Sequence, residues 1–259
     1  IVNNNSKKVQ IENFTKQKNI ICFLTVKPTE QFYTFCKTLN KDNYDVYICI
    51  DDNNHIIKNY DNKIPIIKYK NEVCEKAGFR NSVLWLNRAC SRDKALYYFC
   101  KNKISYDNIW LLEEDVFFYN LNTIKNIDNQ YIKGDLLCQS RGKLYNYKPS
   151  GWHWEHIFRQ TNIPPPYSCC LICGIRVSKK MMDIIHEYAK KYNSLFLDEA
   201  MFLTLALHNK LDIQTPKELS SIKWKYNWKI KDINKKNLYH PIKNIKKHIE
   251  FRKKLDDRN

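Results

Sequence analysis

Short unbroken apolar runs alternate along this chain with stretches whose apolar residues recur every three or four positions. Unbroken runs suit β-strands covered on both faces, and the second spacing suits helices that bury one side. Residues 19–26 form the first run and stop at Lys27-Pro28-Thr29. The spacing of Phe32, Phe35, Cys36 and Leu39 then predicts a helix over residues 30–40. Residues 44–50 read as a second strand, closing in Asp51-Asp52-Asn53-Asn54. Residues 64–69 suit a short edge strand, and residues 91–101 a helix with Ser91 as its N-cap. Further strands are predicted over 109–112, 136–139 and 168–177, with a proline-rich break at 162–166. Ser178 is placed to cap an amphipathic helix over 179–192, and an apolar helix follows from about Phe196 to His208.

A strand, a helix and a second apolar strand in that order imply a parallel pair, and an open α/β sheet binds ligands at the carboxyl ends of its strands. The chain has 259 residues, no internal repeat and no low-complexity linker, which suits one large α/β domain. Residues 1–18 are a polar arm. Beyond Pro216 the chain is an irregular basic extension in which Trp224, Tyr226 and Trp228 stand among lysines.

Charge narrows the partners. Lys and Arg number 44 against 27 acids, a net charge of +17, which favours a polyanionic or phosphorylated partner. Ten cysteines are many, but Cys22, Cys49 and Cys138 lie inside apolar runs, so reduced thiols are expected. No stretch is long and apolar enough for a membrane span, and no signal peptide is evident. The first residue is Ile1 rather than Met, which suggests a domain of a longer protein. The five glycines are too scattered for a phosphate-cradling loop.

One stretch carries most of the chemistry. The apolar residues Ile109 to Leu112 run directly into Glu113-Glu114-Asp115, and an aromatic run follows. Adjacent acids at the tip of a buried strand repel one another, and burying them is costly without a positive neighbour. A hard divalent cation prefers carboxylate oxygen and keeps positions open for a phosphate. The plainer alternative is a strand that ends in a solvated acidic turn.

The order of Asp51-Asp52, Arg92-Asp93-Lys94, Glu113-Glu114-Asp115, Asp198-Glu199 and His240-Pro241-Ile242-Lys243 resembles nucleotide-sugar-dependent glycosyltransferases of the GT-A fold, over residues 19–245. The resemblance implies a GT-A-like single domain with a Rossmann-like, open, mostly parallel sheet flanked by helices. Residues 19–119 would be its nucleotide-binding half, 120–245 its acceptor half and 246–259 a basic tail. It implies that Glu113-Glu114-Asp115 stands for the family's Asp-x-Asp motif. Asp115 would hold Mn²⁺ or Mg²⁺, with Glu113 bound directly or through water; Glu at the first place departs from the usual Asp. The ion would stabilise the leaving diphosphate of a nucleoside diphosphate sugar, UDP-linked by expectation. His240 would complete the metal site and Lys243 would reach the phosphates as a point charge. Asp51 or Asp52 would meet the uracil or ribose, and Arg92 and Lys94 the diphosphate or donor sugar. Asp198 or Glu199 would act as general base on a hydroxyl acceptor of a glycan or protein.

Each residue also has a plainer reading. The Asp51-Asp52 pair suits a turn, and Arg92 and Lys94 suit the exposed first turn of a helix, with Asp93 paired to one of them. The acids at 198 and 199 suit a helix N-terminus. Trp152 and Trp154 offer faces for an acceptor sugar or a plug for the core. Cys169, Cys170 and Cys173 with His153 or His156 make a poor zinc pattern.

Two other functions compete. A basic nucleic-acid binder fits the aromatic, lysine-rich extension, but the acids at 113–115 argue against it. A metal-dependent nucleotidyltransferase or nuclease would use the same acids. The Asn-, Lys- and Ile-rich composition resembles that of an AT-rich genome such as a giant virus, which would place the protein in the host cytoplasm or the virion.

Overall fold

A computed structural model describes residues 17–55 and 61–258. Most of the expected N-terminal arm therefore lies outside the described residues. In chain order the elements are β1 (Asn19–Thr25), α1 (Glu30–Leu39), β2 (Tyr44–Ile50), β3 (Ile66–Ile67), α2 (Asn71–Lys76), α3 (Ser91–Lys101) and β4 (Asn108–Glu113). There follow α4 (Leu121–Gln130), β5 (Leu136–Tyr145), α5 (Trp154–Gln160), β6 (Tyr167–Ser178), α6 (Lys179–Tyr192), α7 (Asp198–His208), β7 (Ile213–Gln214) and α8 (Ile245–Asp256).

β1 is buried along its whole length and stands between β2 and β4 in the sheet. It pairs in parallel with β2 on one side and β4 on the other, from Asn19↔Tyr44 and Asn19↔Asn108 onward. The full order is β3-β2-β1-β4-β6-β5-β7. β6 runs antiparallel to both its neighbours, and the remaining pairs are parallel. The fold class expected from the sequence, an open and mostly parallel sheet flanked by helices, is thus what the chain adopts. Successive side chains of a strand point to opposite faces. Ile20, Cys22 and Leu24 accordingly pack with α3, α6 and α7, while Ile21 and Phe23 pack with α1 and α4.

The cap of α6 is as predicted: Ser178 Oγ accepts from the Met181 amide at 3.1 Å. Ser178→Ala is expected to cost about 1 kcal/mol, measured as a lower urea midpoint with an unchanged slope. The cap of α3 is not as predicted. Cys90 is its N-cap and Ser91 its first residue. Asp93 is fully buried and accepts from the Cys90 amide at 2.9 Å and the Ser82 amide at 3.3 Å, so it holds the helix start rather than pairing with Arg92 or Lys94.

Residues expected as a basic tail hold α8. Its His248, Phe251 and Leu255 are buried and pack with Phe117 and Tyr239. Arg252 donates to the Phe118 and Tyr119 carbonyls, which ties α8 to the segment that follows β4. None of the cysteines forms a disulfide. Among the described residues, no helix is long and apolar enough to cross a membrane.

Candidate active site

The carboxyl ends of β1, β2 and β4 open onto one cavity of about 830 Å³. Parallel strands deliver Thr25, Asp51 and Glu113 to the same edge because their register is unshifted. The first turns of α3 and α7 add Arg92, Asp198 and Glu199, and the segment before α8 adds His240 and Lys243. Helix N-termini facing the cavity suit anionic ligands.

Arg92 is the hub. Its Nη2 lies 2.7 Å from Glu113 Oε1, its Nε lies 2.7 Å from Asp198 Oδ2, and Nη1 donates to the Ile172 carbonyl at 3.2 Å. Burial disfavours its charge, but the two carboxylates more than offset this and raise its pKa. One guanidinium therefore orients two carboxylates from different elements.

The second oxygen of Glu113 faces His240. Nε2 of His240 is 3.6 Å from Glu113 Oε2 and 3.3 Å from Asp115 Oδ1. Nδ1 sits 2.6 Å from the Lys223 carbonyl, which only accepts, so Nδ1 carries a proton. Nε2 then has two choices. Protonated, it is itself the cation between the acids; neutral, it aims a lone pair at two carboxylates, which is unfavourable unless a cation sits among them. Burial lowers the His240 pKa, but the hydrogen bond to Asp115 and the charges of Asp115 and Glu113 win and raise it. Glu113, Cys173 and His240 bring their donor atoms within 4.8 Å of one another. A carboxylate, an imidazole locked in one tautomer by a carbonyl, and a nearby second acid make a chemically suitable set for a divalent transition ion.

Asp198 is buried, and its Oδ1 accepts from the Glu199 amide at 2.8 Å. Burial pushes its pKa up to about 7, with Arg92 pulling the other way and Glu199 and Glu113 adding to the rise. Glu114, exposed at the strand tip, accepts from the Thr25 hydroxyl.

Several expected residues stand elsewhere or do other work. Asp51 lines the cavity but is gripped by Arg88, whose two terminal nitrogens sit 2.6 and 2.8 Å from its oxygens. Asp52 does not line it; its Oδ1 closes a local turn by accepting from the Asn54 amide. Lys94 is fully buried beneath the strand end, donating to the Asp51 carbonyl at 2.7 Å and to Asn53 Oδ1 at 2.8 Å. Trp154 is in the core against Tyr145, Phe158 and Tyr167. Trp152 is exposed and is not part of the cavity wall. The aromatic faces that do line the cavity are Trp85, Trp224 and Tyr226, all more than half exposed. Arg88 and Trp85 were not singled out from the sequence as site residues, and Cys173, weighed there only with Cys169, Cys170 and His153 or His156, stands with Glu113 and His240 instead.

No protein-family model matches the chain, and no curated protein matches it. Among solved structures, it is similar to 4-diphosphocytidyl-2C-methyl-D-erythritol synthase from Anaerococcus prevotii DSM 20548, with a TM-score of 0.46 and 9% identity over 92% of this chain and 96% of that chain. It is similar at the same values to galactosyltransferase LgtC in complex with donor and acceptor sugar analogs. At this distance neither neighbour assigns an activity to this chain.

Proposed function

We propose that this chain is a metal-dependent glycosyltransferase that moves a sugar from a nucleoside diphosphate donor, UDP-linked by first choice, to a hydroxyl acceptor on a glycan or protein. The observation that carries the reading is His240. Its Nδ1 is committed to a carbonyl, and its Nε2 stands among Glu113 and Asp115 at the carboxyl edge of a parallel sheet. When bound, a Mn²⁺-class ion at Glu113, Asp115 and His240 supplies Lewis-acid stabilisation of the leaving diphosphate. Arg92 holds Glu113 in place for that role, and Lys243 at the cavity wall offers a positive charge to the phosphates. Asp51, oriented by Arg88, presents acceptor oxygens to ribose hydroxyls. Trp85, Trp224 and Tyr226 offer flat faces to a base or a sugar ring. Asp198 takes the proton of the acceptor hydroxyl in an inverting reaction.

The test is thermal unfolding with UDP, GDP or CDP, each with and without Mn²⁺. One nucleotide is expected to stabilise the protein only with the metal, by about 2.7 kcal/mol at a hundredfold excess over Kd. For a chain of this size that is a rise of roughly 5–10 °C. Glu113→Ala is expected to abolish the shift. A shift that survives that substitution, or that ignores the metal, overturns the assignment. Products then separate the alternatives: a glycosyltransferase releases nucleoside diphosphate, whereas a nucleotidyltransferase releases pyrophosphate.

A further inference from the structure

Cys173 has no part in the chemistry described above, yet it belongs to the same cluster. It lies on β6, one residue beyond the last pair with β4, Leu112↔Gly174, and so reaches the tip of the strand that carries Glu113. Its side chain is buried at the cavity wall, with 3% exposure. Its Sγ, a Glu113 oxygen and a His240 ring nitrogen lie mutually within 4.8 Å. These donors come from three separate parts of the chain, two strands and the C-terminal segment, so the convergence is a property of the fold and not of local sequence. The thiol therefore stands beside the carboxylate and the imidazole, where a cation could meet all three donors.

Donor chemistry then decides the ion. Mg²⁺ demands oxygen ligands and octahedral geometry and gains little from sulfur. Imidazole and thiolate suit zinc and its neighbours, with bonds of about 2.0–2.3 Å. We propose that Cys173 Sγ ligates the same cation as Glu113 and His240, so that the site takes an ion of the cobalt–zinc class in preference to Mg²⁺. The inference rests on the metal site of the proposed function and adds its fourth-residue chemistry. On binding, the Sγ–H bond breaks, the electron pair goes to the metal–sulfur bond, and the proton leaves to solvent.

Titration of metal-stripped full chain with Co²⁺, read by absorption, tests this directly. A thiolate-to-cobalt charge-transfer band in the near ultraviolet is expected to rise together with the visible ligand-field bands. Cys173→Ser is expected to keep the visible bands, lose the charge-transfer band, and weaken Co²⁺ and Zn²⁺ binding by more than the roughly tenfold that loss of an outer-shell partner costs. Mg²⁺ binding should stay the same in the two proteins. Cys173→Ala serves if the serine variant does not fold, and Cys169→Ser is expected to retain the band. Visible bands without a charge-transfer band in the parent protein overturn the proposal and leave the Glu113–His240 site standing. A charge-transfer band that persists without Cys173 also overturns it. Absence of any Co²⁺ binding overturns both this inference and the metal reading beneath it.

Discussion

Arg92→Met is expected to lower stability by about 3–5 kcal/mol at neutral pH, the cost of leaving a buried charge without its partner, and to abolish metal-dependent nucleotide binding. The guanidinium is buried and is shared between Glu113 and Asp198. Methionine fills a similar volume, so packing loss is small and the deficit reports electrostatics. Most of it should come from Asp198, which is 4% exposed at the side chain, because Glu113 is 33% exposed and water screens its share. This makes the deficit depend on pH, with a definite sign. The folded-state pKa of Asp198 is raised to about 7, above its unfolded value, so its contribution to stability is greatest in acid and is lost as pH rises through that range. Arg92 opposes the rise, so its removal pushes the carboxyl higher still. The stability gap between the variant and the parent should therefore narrow as pH is lowered from 8 to 5. Arg92→Lys restores a charge but not a fork that meets two acids at once, so it should recover part of the stability and little of the binding. Urea unfolding across pH checks these points. A gap below about 1 kcal/mol, the worth of an exposed pair, or one that is flat with pH would mean that Arg92 is not the hub described.

The parts of this fold that the sequence made legible share a physical cause. β1, β4 and β6 are buried on both faces, as is β2 over its last three residues, so apolar residues dominate them and the runs stand out. α6 was legible at both ends because Ser178 caps it and its apolar stripe is continuous. α4 and α8 were not, because two of the buried residues of α4 are the polar Thr123 and Asp128, and the buried residues of α8 are spaced among lysines that hide the stripe. The site follows the same logic. Acids that close parallel strands must meet at one edge, so Glu113, Asp115 and Asp51 could be gathered from the sequence alone, and Arg92, Asp198 and His240 joined them by their order. Pairing was out of reach. Arg88 lies in a loop with no periodicity, and nothing marks it as the clamp on Asp51. Cys173 sits in an apolar run and looks like any other core thiol until β6 is laid against β4. The dense aromatic stretch at 152–154 drew attention by composition, but Trp154 is used to fill space under β5 and β6, where an indole is worth more as volume than as a platform.

Asp198→Asn should cut turnover by about a hundredfold to ten-thousandfold, the range for losing a positioned general base, while leaving the metal-dependent nucleotide shift intact. The two readouts separate because Arg92 still meets Glu113 when Asp198 is neutral, so the metal side of the cavity keeps its geometry. Asparagine also retains an oxygen to accept from the Glu199 amide, which preserves the first turn of α7. In the parent protein, the base must be ionised to accept a proton. With a carboxyl held near 7 by burial, the rate is expected to fall as pH drops through that value, and to level off above it. Nucleoside diphosphate release from the donor chosen by the thermal test gives the profile. Asp198→Asn should erase that acid limb along with most of the rate. Glu199→Gln is the necessary companion, since Glu199 is the next residue, is also buried and lines the same cavity. If Glu199→Gln removes the limb and Asp198→Asn does not, the base is Glu199, and the task of Asp198 is to hold Arg92. If neither variant loses more than tenfold, proton transfer by α7 is not part of the reaction, and a retaining mechanism, which needs no base at this position, becomes the reading to test.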